Sequence, residues 1–278
     1  MSQFPRLVAI FVCIGLSGCA TSNVAKVVPA HDAMDATVWI QTSTEYAAAT
    51  TSIYAAATAM LDRVDAAKLP KRPAVVLDVD ETVLDNSPYQ GQLIQDGTRY
   101  ESESWDRWIA LRSATAVPGV VDFLAAAQAR DVQVVLVTNR RCRAREGTAS
   151  HCPQHEDTLA NLRTVGIDTA ATLLFLRDDE PVGPCAELLT ADEIADGKWS
   201  SDKTSRRACV SLDHTIVMLF GDQLGDFIEE SSGASGRDVA ASHSAQWGRA
   251  WFMLPNPTYG SWLPRDYVEK QQLIRGIE

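Results

Sequence analysis

Short apolar runs recur along the chain with room for a helix between successive ones: Ala74-Val75-Val76-Leu77, Val132 to Val137, Thr172 to Leu176, Thr215 to Phe220 and Ala250 to Leu254. A run without polar alternation is what a strand buried on both faces requires. Between the runs the period lengthens to that of helices, over Gly119 to Arg130 behind Pro118, Glu156 to Val165 and Lys203 to Ser211. Alternating strands and helices predict right-handed crossovers and a mainly parallel central sheet with helices on both faces. The expected fold is α/β, a three-layer sandwich. Ahead of the first strand, residues 31–68 are rich in alanine, with Met34, Val38, Trp39, Tyr46, Ile53, Tyr54, Met60 and Leu61 at near-helical spacing. This predicts two helices, or one broken helix, stopped by Leu69-Pro70 and Pro73. Residues 86–117 and 178–202 are the longest stretches without strand character and are expected to form cap or rim structure. Residues 31–70 and 86–117 would then make a smaller helical cap within one domain spanning 31–278.

In such a sheet, ligands bind outside the carboxyl ends of the strands. Those ends carry Asp78 and Asp80, then Thr138-Asn139-Arg140, then Asp222. A carboxylate at Asp78 can attack phosphorus and form an aspartyl-phosphate, splitting hydrolysis into two easier steps. Asp80 can reach the same centre if the chain turns after Asp78, to protonate a leaving alcohol and later deprotonate water. Acids at strand ends are common, so this pair alone says little. Its companions add weight. Thr138 and the Asn139 amide can hydrogen-bond phosphoryl oxygens, and Lys203 can neutralise charge on the nucleophile and phosphoryl group. Asp222, in Gly221-Asp222-Gln223-Leu224-Gly225-Asp226, is a hard oxygen ligand suited to magnesium, Mg2+. A cation is called for because Asp78 and a phosphate dianion otherwise repel each other.

These segments, in this order, resemble the motifs of the haloacid dehalogenase superfamily of phosphohydrolases. More narrowly, the chain resembles the class C nonspecific acid phosphatases and 5'-nucleotidases, a bacterial lipoprotein branch. The narrower likeness rests on Trp39 to Tyr46 (WIQTSTEY), Asp78 to Tyr89 (DVDETVLDNSPY), Ser104 to Trp108 (SWDRW), Val117-Pro118-Gly119 and Leu254 to Trp262 (LPNPTYGSW). The resemblance implies Asp78 as nucleophile and metal ligand, Asp80 as acid/base whose backbone carbonyl also meets the metal, and Asp222 as the remaining protein ligand. It implies Asp226 as support for a metal-bound water or for its loop, and Thr138, Asn139 and Lys203 as phosphoryl binders. Trp105 and Tyr259 would flank the substrate. Nucleoside monophosphates suit such a slot, since a base stacks between rings for roughly 1–3 kcal/mol. The loop after Arg140 and the stretch Arg177 to Asp202 are longer than the family pattern, and both belong to the expected crevice rim.

Charge narrows the partners. The formal net charge of -11 argues against a nucleic acid polymer, because neutralising a phosphate backbone needs a basic face. Small phosphomonoesters must be drawn in by local charge. Arg140, Arg141, Arg143, Arg145, Arg206 and Arg207 could form such a positive rim, and for all but Arg140 ordinary ion pairs on a solvated face are an equal alternative. Glu81 either serves the motif or caps the following turn. Trp247, Trp251 and Trp262 read as packing, and His31, His151, His155, His214 and His243 show no triad or metal spacing.

The N-terminus reads as an address. Leu7 to Leu16 is apolar but too short to span a bilayer, and Leu16-Ser17-Gly18-Cys19 resembles a bacterial lipobox. Residues 1–18 would be a signal peptide, Cys19 would carry the lipid, and 19–30 would be a tether. Ala20 rather than aspartate after the cysteine fits an outer-membrane destination in the bacterial cell envelope. Cys142, Cys152, Cys185 and Cys209 then remain, and an even set in an oxidising compartment implies disulfides. Of the three pairings open to four cysteines, Cys142–Cys152 with Cys185–Cys209 is preferred, because the first closes a short polar loop. The rival is a zinc site from Cys142, His151, Cys152 and His155. The leading functional reading is a magnesium-dependent acid phosphatase. The same site would serve a phosphotransferase using an alcohol in place of water. The non-enzymatic alternative is a surface lipoprotein that binds a cofactor or host factor.

Overall fold

The computed structural model describes residues 33–228, 236–264 and 267–276. The expected signal peptide over 1–18, the tether over 19–30 and the lipid-bearing Cys19 lie outside the described residues.

The strands are β1 (Arg72–Leu77), β2 (Leu84–Asp85), β3 (Thr115–Ala116), β4 (Gln133–Arg141), β5 (Leu173–Arg177), β6 (His214–Gly221) and β7 (Trp251–Met253). The main sheet has the order β5-β4-β1-β6-β7, and every neighbouring pair in it is parallel. β1 is central, which is why its apolar run is unbroken. Val75 and Leu77 join one core while Ala74 and Val76 join the other, so both faces are covered. β4 continues past the apolar Val137 through Thr138, Asn139 and Arg140, because β5 pairs with it as far as Arg141. β2 and β3 form a small antiparallel ribbon that closes the insertion after β1.

The helices are α1 (Met34–Thr42), α2 (Thr44–Leu61), α3 (Ser87–Asp96), α4 (Ser102–Leu111), α5 (Val120–Gln128), α6 (Pro153–Thr164), α7 (Ala191–Asp196), α8 (Thr204–Asp213), α9 (Gly236–Ser242) and α10 (Tyr267–Leu273). The alanine-rich stretch is two helices. Ser43 is extended, and its hydroxyl accepts from the Tyr46 amide at 3.1 Å, a side-chain N-cap that starts α2 afresh. On one face of the sheet Tyr54, Ala57 and Leu61 of α2, Phe123 and Leu124 of α5, and Leu162 of α6 meet Leu136, Phe220 and Phe252. On the other face, Val210 of α8 and Phe227 cover Val135, Val137 and Leu219.

Of the segments expected to form a cap, α2 belongs instead to this main core. The Tyr54 ring stacks on Phe220 at 5.7 Å. Gly119, at φ +93°, lets α5 start against it, since a Cβ there would lie 3.0 Å from Thr51 Cα. α1 reaches α3 through Gln41 Nε2, which donates to the Ser87 carbonyl at 3.0 Å.

Cys142, Cys152, Cys185 and Cys209 pair as preferred from the sequence. Cys142 joins Cys152 with Cα atoms 4.7 Å apart, and Cys185 joins Cys209 at 5.0 Å. A zinc ligand must be a free thiolate, so the alternative site at Cys142, His151, Cys152 and His155 is excluded. No described helix is long and apolar enough to cross a membrane.

Candidate active site

The ladder of β1 runs on through Asp78, whose amide donates to the Phe220 carbonyl at 3.0 Å. The chain then turns sharply, with the amides of Val83 and Leu84 both donating to the Val79 carbonyl at 2.8 Å. Glu81 sits at the apex with φ +59°, a conformation costly for a residue with a Cβ. Tyr54 of α2 fastens the turn from below, its hydroxyl donating to the Thr82 carbonyl at 2.6 Å.

Lys203, at the N-cap of α8, places Nζ 2.5 Å from Asp78 Oδ1 and 2.5 Å from Asp226 Oδ1, and all three groups are buried. Asp226 reaches this point across the end of β6. A Cβ on Gly221 would lie 2.2 Å from Asp226 Cβ, so only glycine fits. The other Asp226 oxygen accepts from the Gln223 amide at 3.0 Å. Asp222 is steadied by Asn256 from the loop after β7, whose Nδ2 donates at 2.8 Å. Asp78, Asp222 and Asp226 each offer a carboxylate oxygen, and these oxygens lie within 4.8 Å of one another.

Three buried acids around one ammonium leave excess negative charge. Burial pushes Asp78 up to about 7, reinforced by Asp226 and Asp80 and opposed by Lys203. Burial, then Asp226 and Asp78, hold Asp222 well above the usual carboxylate range. Lys203 feels burial in the opposite sense, yet Asp226 and Asp78 outweigh it and raise its pKa. Hard oxygen donors with uncompensated charge fit a divalent cation.

Asp80 faces elsewhere. Its carboxylate is gripped by Arg140, with Nη2 at 2.7 Å and Nε at 3.0 Å from Oδ1, and by Asn86 Nδ2 at 2.9 Å. Thr138 Oγ1 stands 3.5 Å from its other oxygen. Arg140 is itself buried and donates onward to Thr158 at 3.1 Å. It is therefore no solvent-facing rim charge but the tether of the second acid.

Arg206 and Arg207 do parallel work. Arg206 donates to the Thr138 carbonyl at 2.6 Å and to Asn139 Oδ1 at 2.8 Å, fixing the end of β4 against α8. Arg207 donates to the carbonyls of Gly225 and Asp226 at 3.0 and 3.1 Å. Residues 203, 206 and 207 fall on one helical face, a pattern visible in the sequence and left undecided there. The remaining rim candidates are ion-paired: Arg141 with Asp178, Arg143 with Glu103, and Arg145 with Asp106 and Asp157.

Tyr259 reaches the turn directly, and Trp105 stands beside it against Tyr89 and Arg140. Trp105 of α4 packs edge-on against Tyr89 at 5.0 Å, with Arg140 Cζ 5.9 Å from its ring centre. The Tyr259 hydroxyl donates to Glu81, whose other oxygen accepts from the Asn86 amide at 3.1 Å. Glu81 thus caps the entry to α3 and also anchors the loop that carries Tyr259. Trp247, Trp251 and Phe227 form an aromatic cluster on the far face of the sheet.

The family described as HAD superfamily, subfamily IIIB (acid phosphatase), matches residues 16–262. Two solved structures of the class C acid phosphatase from Bacillus anthracis are similar to this chain. One shares 29% identity over 88% of this chain and 97% of its own, with a TM-score of 0.69. The other, with tungstate bound, shares 29% identity over 91% of this chain and 100% of its own, with a TM-score of 0.71.

Proposed function

The chain belongs to the HAD superfamily, subfamily IIIB, a family of acid phosphatases that hydrolyse phosphomonoesters, and on that premise we propose its mechanism, cofactor and substrates. In our reading it is a magnesium-dependent acid phosphatase that works through an aspartyl-phosphate on Asp78 and accepts nucleoside 5'-monophosphates. The observation that carries this is the contact of Lys203 with both Asp78 and Asp226, which brings three separated chain segments to one point.

The Asp78 carboxylate attacks phosphorus while the Thr138 hydroxyl, the Asn139 amide and the Lys203 ammonium hold the phosphoryl oxygens. Asp80, oriented by Arg140 and Asn86, gives a proton to the departing alkoxide as the ester P–O bond breaks. It then takes a proton from the water that attacks the aspartyl-phosphate, freeing Asp78 and inorganic phosphate. A divalent cation held by Asp78, Asp222 and the Asp80 carbonyl would supply the charge that offsets repulsion between carboxylate and phosphate. Asp226 keeps Lys203 in place. Trp105 and Tyr259 are the ring-binding residues.

We place the protein in the bacterial cell envelope, anchored to the outer membrane by lipid on Cys19. The two disulfides support an oxidising compartment. Membrane fractionation of a Cys19→Ser variant tests the anchor: retention in the membrane would remove Cys19 from that role. The mechanism is tested by hydrolysis of an aryl phosphate with magnesium by the parent and Asp78→Asn. A fall of at least about a thousandfold is expected, and equal rates would remove Asp78 as nucleophile.

A further inference from the structure

We propose that Arg145 is a positioning residue that sets selectivity for ring-bearing phosphomonoesters by clamping α4, and with it Trp105, to the core. The proposal rests on the reading of Trp105 as a stacking residue.

Helix α4 is tied to the start of α3 by Trp108, which donates to Asn86 Oδ1 at 2.8 Å, and by the Ser104 hydroxyl, 2.8 Å from that of Tyr89, but its hold on the core is otherwise slight. Its ten residues bury only Ile109 completely, no side chain caps its start, and Leu111 at its end is 66% exposed. A helix this short is marginal without tertiary support. Further support comes from the loop Cys142 to Cys152, which its disulfide closes. Arg143 on this loop donates to the Ser102 carbonyl in the first turn of α4 at 2.7 Å. Arg145 grips Asp106, the neighbour of Trp105, with Nε 2.8 Å from Oδ2 and Nη2 3.0 Å from Oδ1.

The same guanidinium reaches the core, placing Nη1 2.7 Å from Asp157 Oδ2 on α6. Asp157 is buried and also receives Arg112 Nε, from the end of α4, at 2.9 Å. Gln154 Nε2 adds a donor to Asp106 at 2.7 Å, and its oxygen accepts from the Arg143 amide at 3.1 Å. Burial opposes charge on Asp106, yet the Arg145 and Gln154 hydrogen bonds hold its carboxyl below the usual range. Arg145 thus joins α4, the loop and α6 through two carboxylates, and Gln154 links the same three elements with neutral hydrogen bonds. A lysine lacks the planar fork these contacts use. Trp105 lies one residue from the clamp, so losing the clamp frees the ring to swing and weakens stacking. The chemistry at Asp78 stays untouched.

The test compares kcat/KM for adenosine 5'-monophosphate with that for glycerol 2-phosphate, which has no ring. The proteins are the parent, Arg145→Ala, Arg145→Lys, Asp106→Asn and Trp105→Ala, each checked for folding by thermal unfolding. Arg145→Ala should lower the nucleotide-to-glycerol-phosphate ratio about 5- to 10-fold through KM for the nucleotide, a part of the stacking energy. Its kcat on glycerol 2-phosphate should stay within about twofold, and Arg145→Lys should recover only part of the ratio. Asp106→Asn removes the α4 side of the clamp and leaves Asp157 paired, so it should move the ratio the same way even if Arg145→Ala does not fold. An unchanged ratio in Arg145→Ala and Asp106→Asn, beside a collapsed ratio in Trp105→Ala, would overturn the clamp alone. Equal losses on both substrates would also overturn it. An unchanged ratio in Trp105→Ala would take down the stacking reading and the clamp together.

Discussion

Replacing Lys203 by methionine keeps a chain of similar length and removes the charge between Asp78 and Asp226. Each of these carboxylates has an oxygen 2.5 Å from the ammonium in the parent, and both are buried. Deleting one partner of a buried ion pair costs about 3–5 kcal/mol, because the other charge is left uncompensated. The cost here depends on pH in a way that identifies its cause. The Asp78 pKa is raised from 3.8 to about 7, by burial first, with Lys203 pulling it down. The native protein therefore keeps a proton that the unfolded chain has released, and metal-free stability falls as pH rises from about 4 to about 7. Without Lys203 the downward pull is lost and Asp78 holds its proton to still higher pH. Above about pH 7 Asp78 no longer adds to the parent's loss of stability, while in the variant it continues to do so, by up to ~1.4 kcal/mol per pH unit for each retained proton. Urea unfolding in a chelator should thus show a gap that is wider at about pH 8.5 than at about pH 5.5. Activity should fall at least about a hundredfold at every pH, since a charge aimed at the transition state is gone. A gap of constant size, or one that narrows with rising pH, would mean that Lys203 acts through packing and not through its charge.

Other consequences follow from single contacts. In Arg140→Met, Asp80 loses its strongest partner, so kcat should fall about a hundredfold or more with KM little changed; a KM effect alone would make Arg140 a substrate binder. Gly221→Ala forces a Cβ to within 2.2 Å of Asp226, so it should displace that carboxylate and abolish activity, whereas full activity would show the crossing to be dispensable. Cation binding to Asp78 and Asp222 must displace the protons that their raised pKa values favour. The rise in melting temperature on adding magnesium should therefore be larger at about pH 8 than at about pH 6, and the reverse order would exclude these two groups as ligands.

How much of this was legible in advance depended on the range of the interaction. The apolar runs located the main strands because a strand buried on both faces must be continuously apolar, and β1 is such a strand. Asp78, Thr138 and Asp222 were legible because each stands at the end of a run, where backbone geometry alone carries it to the crevice. Lys203 was legible from its place before a helix. Arg140 was seen but its role was not, since the pairing with Asp80 spans 60 residues and no local pattern encodes it. Asn86 and Tyr54 went unassigned for the same reason. Tyr54 reads as one more apolar position on α2, and its hydroxyl finds Thr82 only across 28 residues of chain. The placement of α2 in the main core, where a cap had been expected, was also hidden. Helical periodicity shows that a face is apolar but not which surface covers it.

Composition and order along the chain therefore determined the layers, the sheet direction and the set of reactive groups at its rim. Folding decided which arginine holds which acid, which helix completes the core and which loop grips α4. The division has a physical origin. Strand and helix periods arise from bonding between near neighbours, which residue types report directly. Hydrogen bonds and ion pairs between distant segments exist only once packing has brought their atoms within about 3 Å.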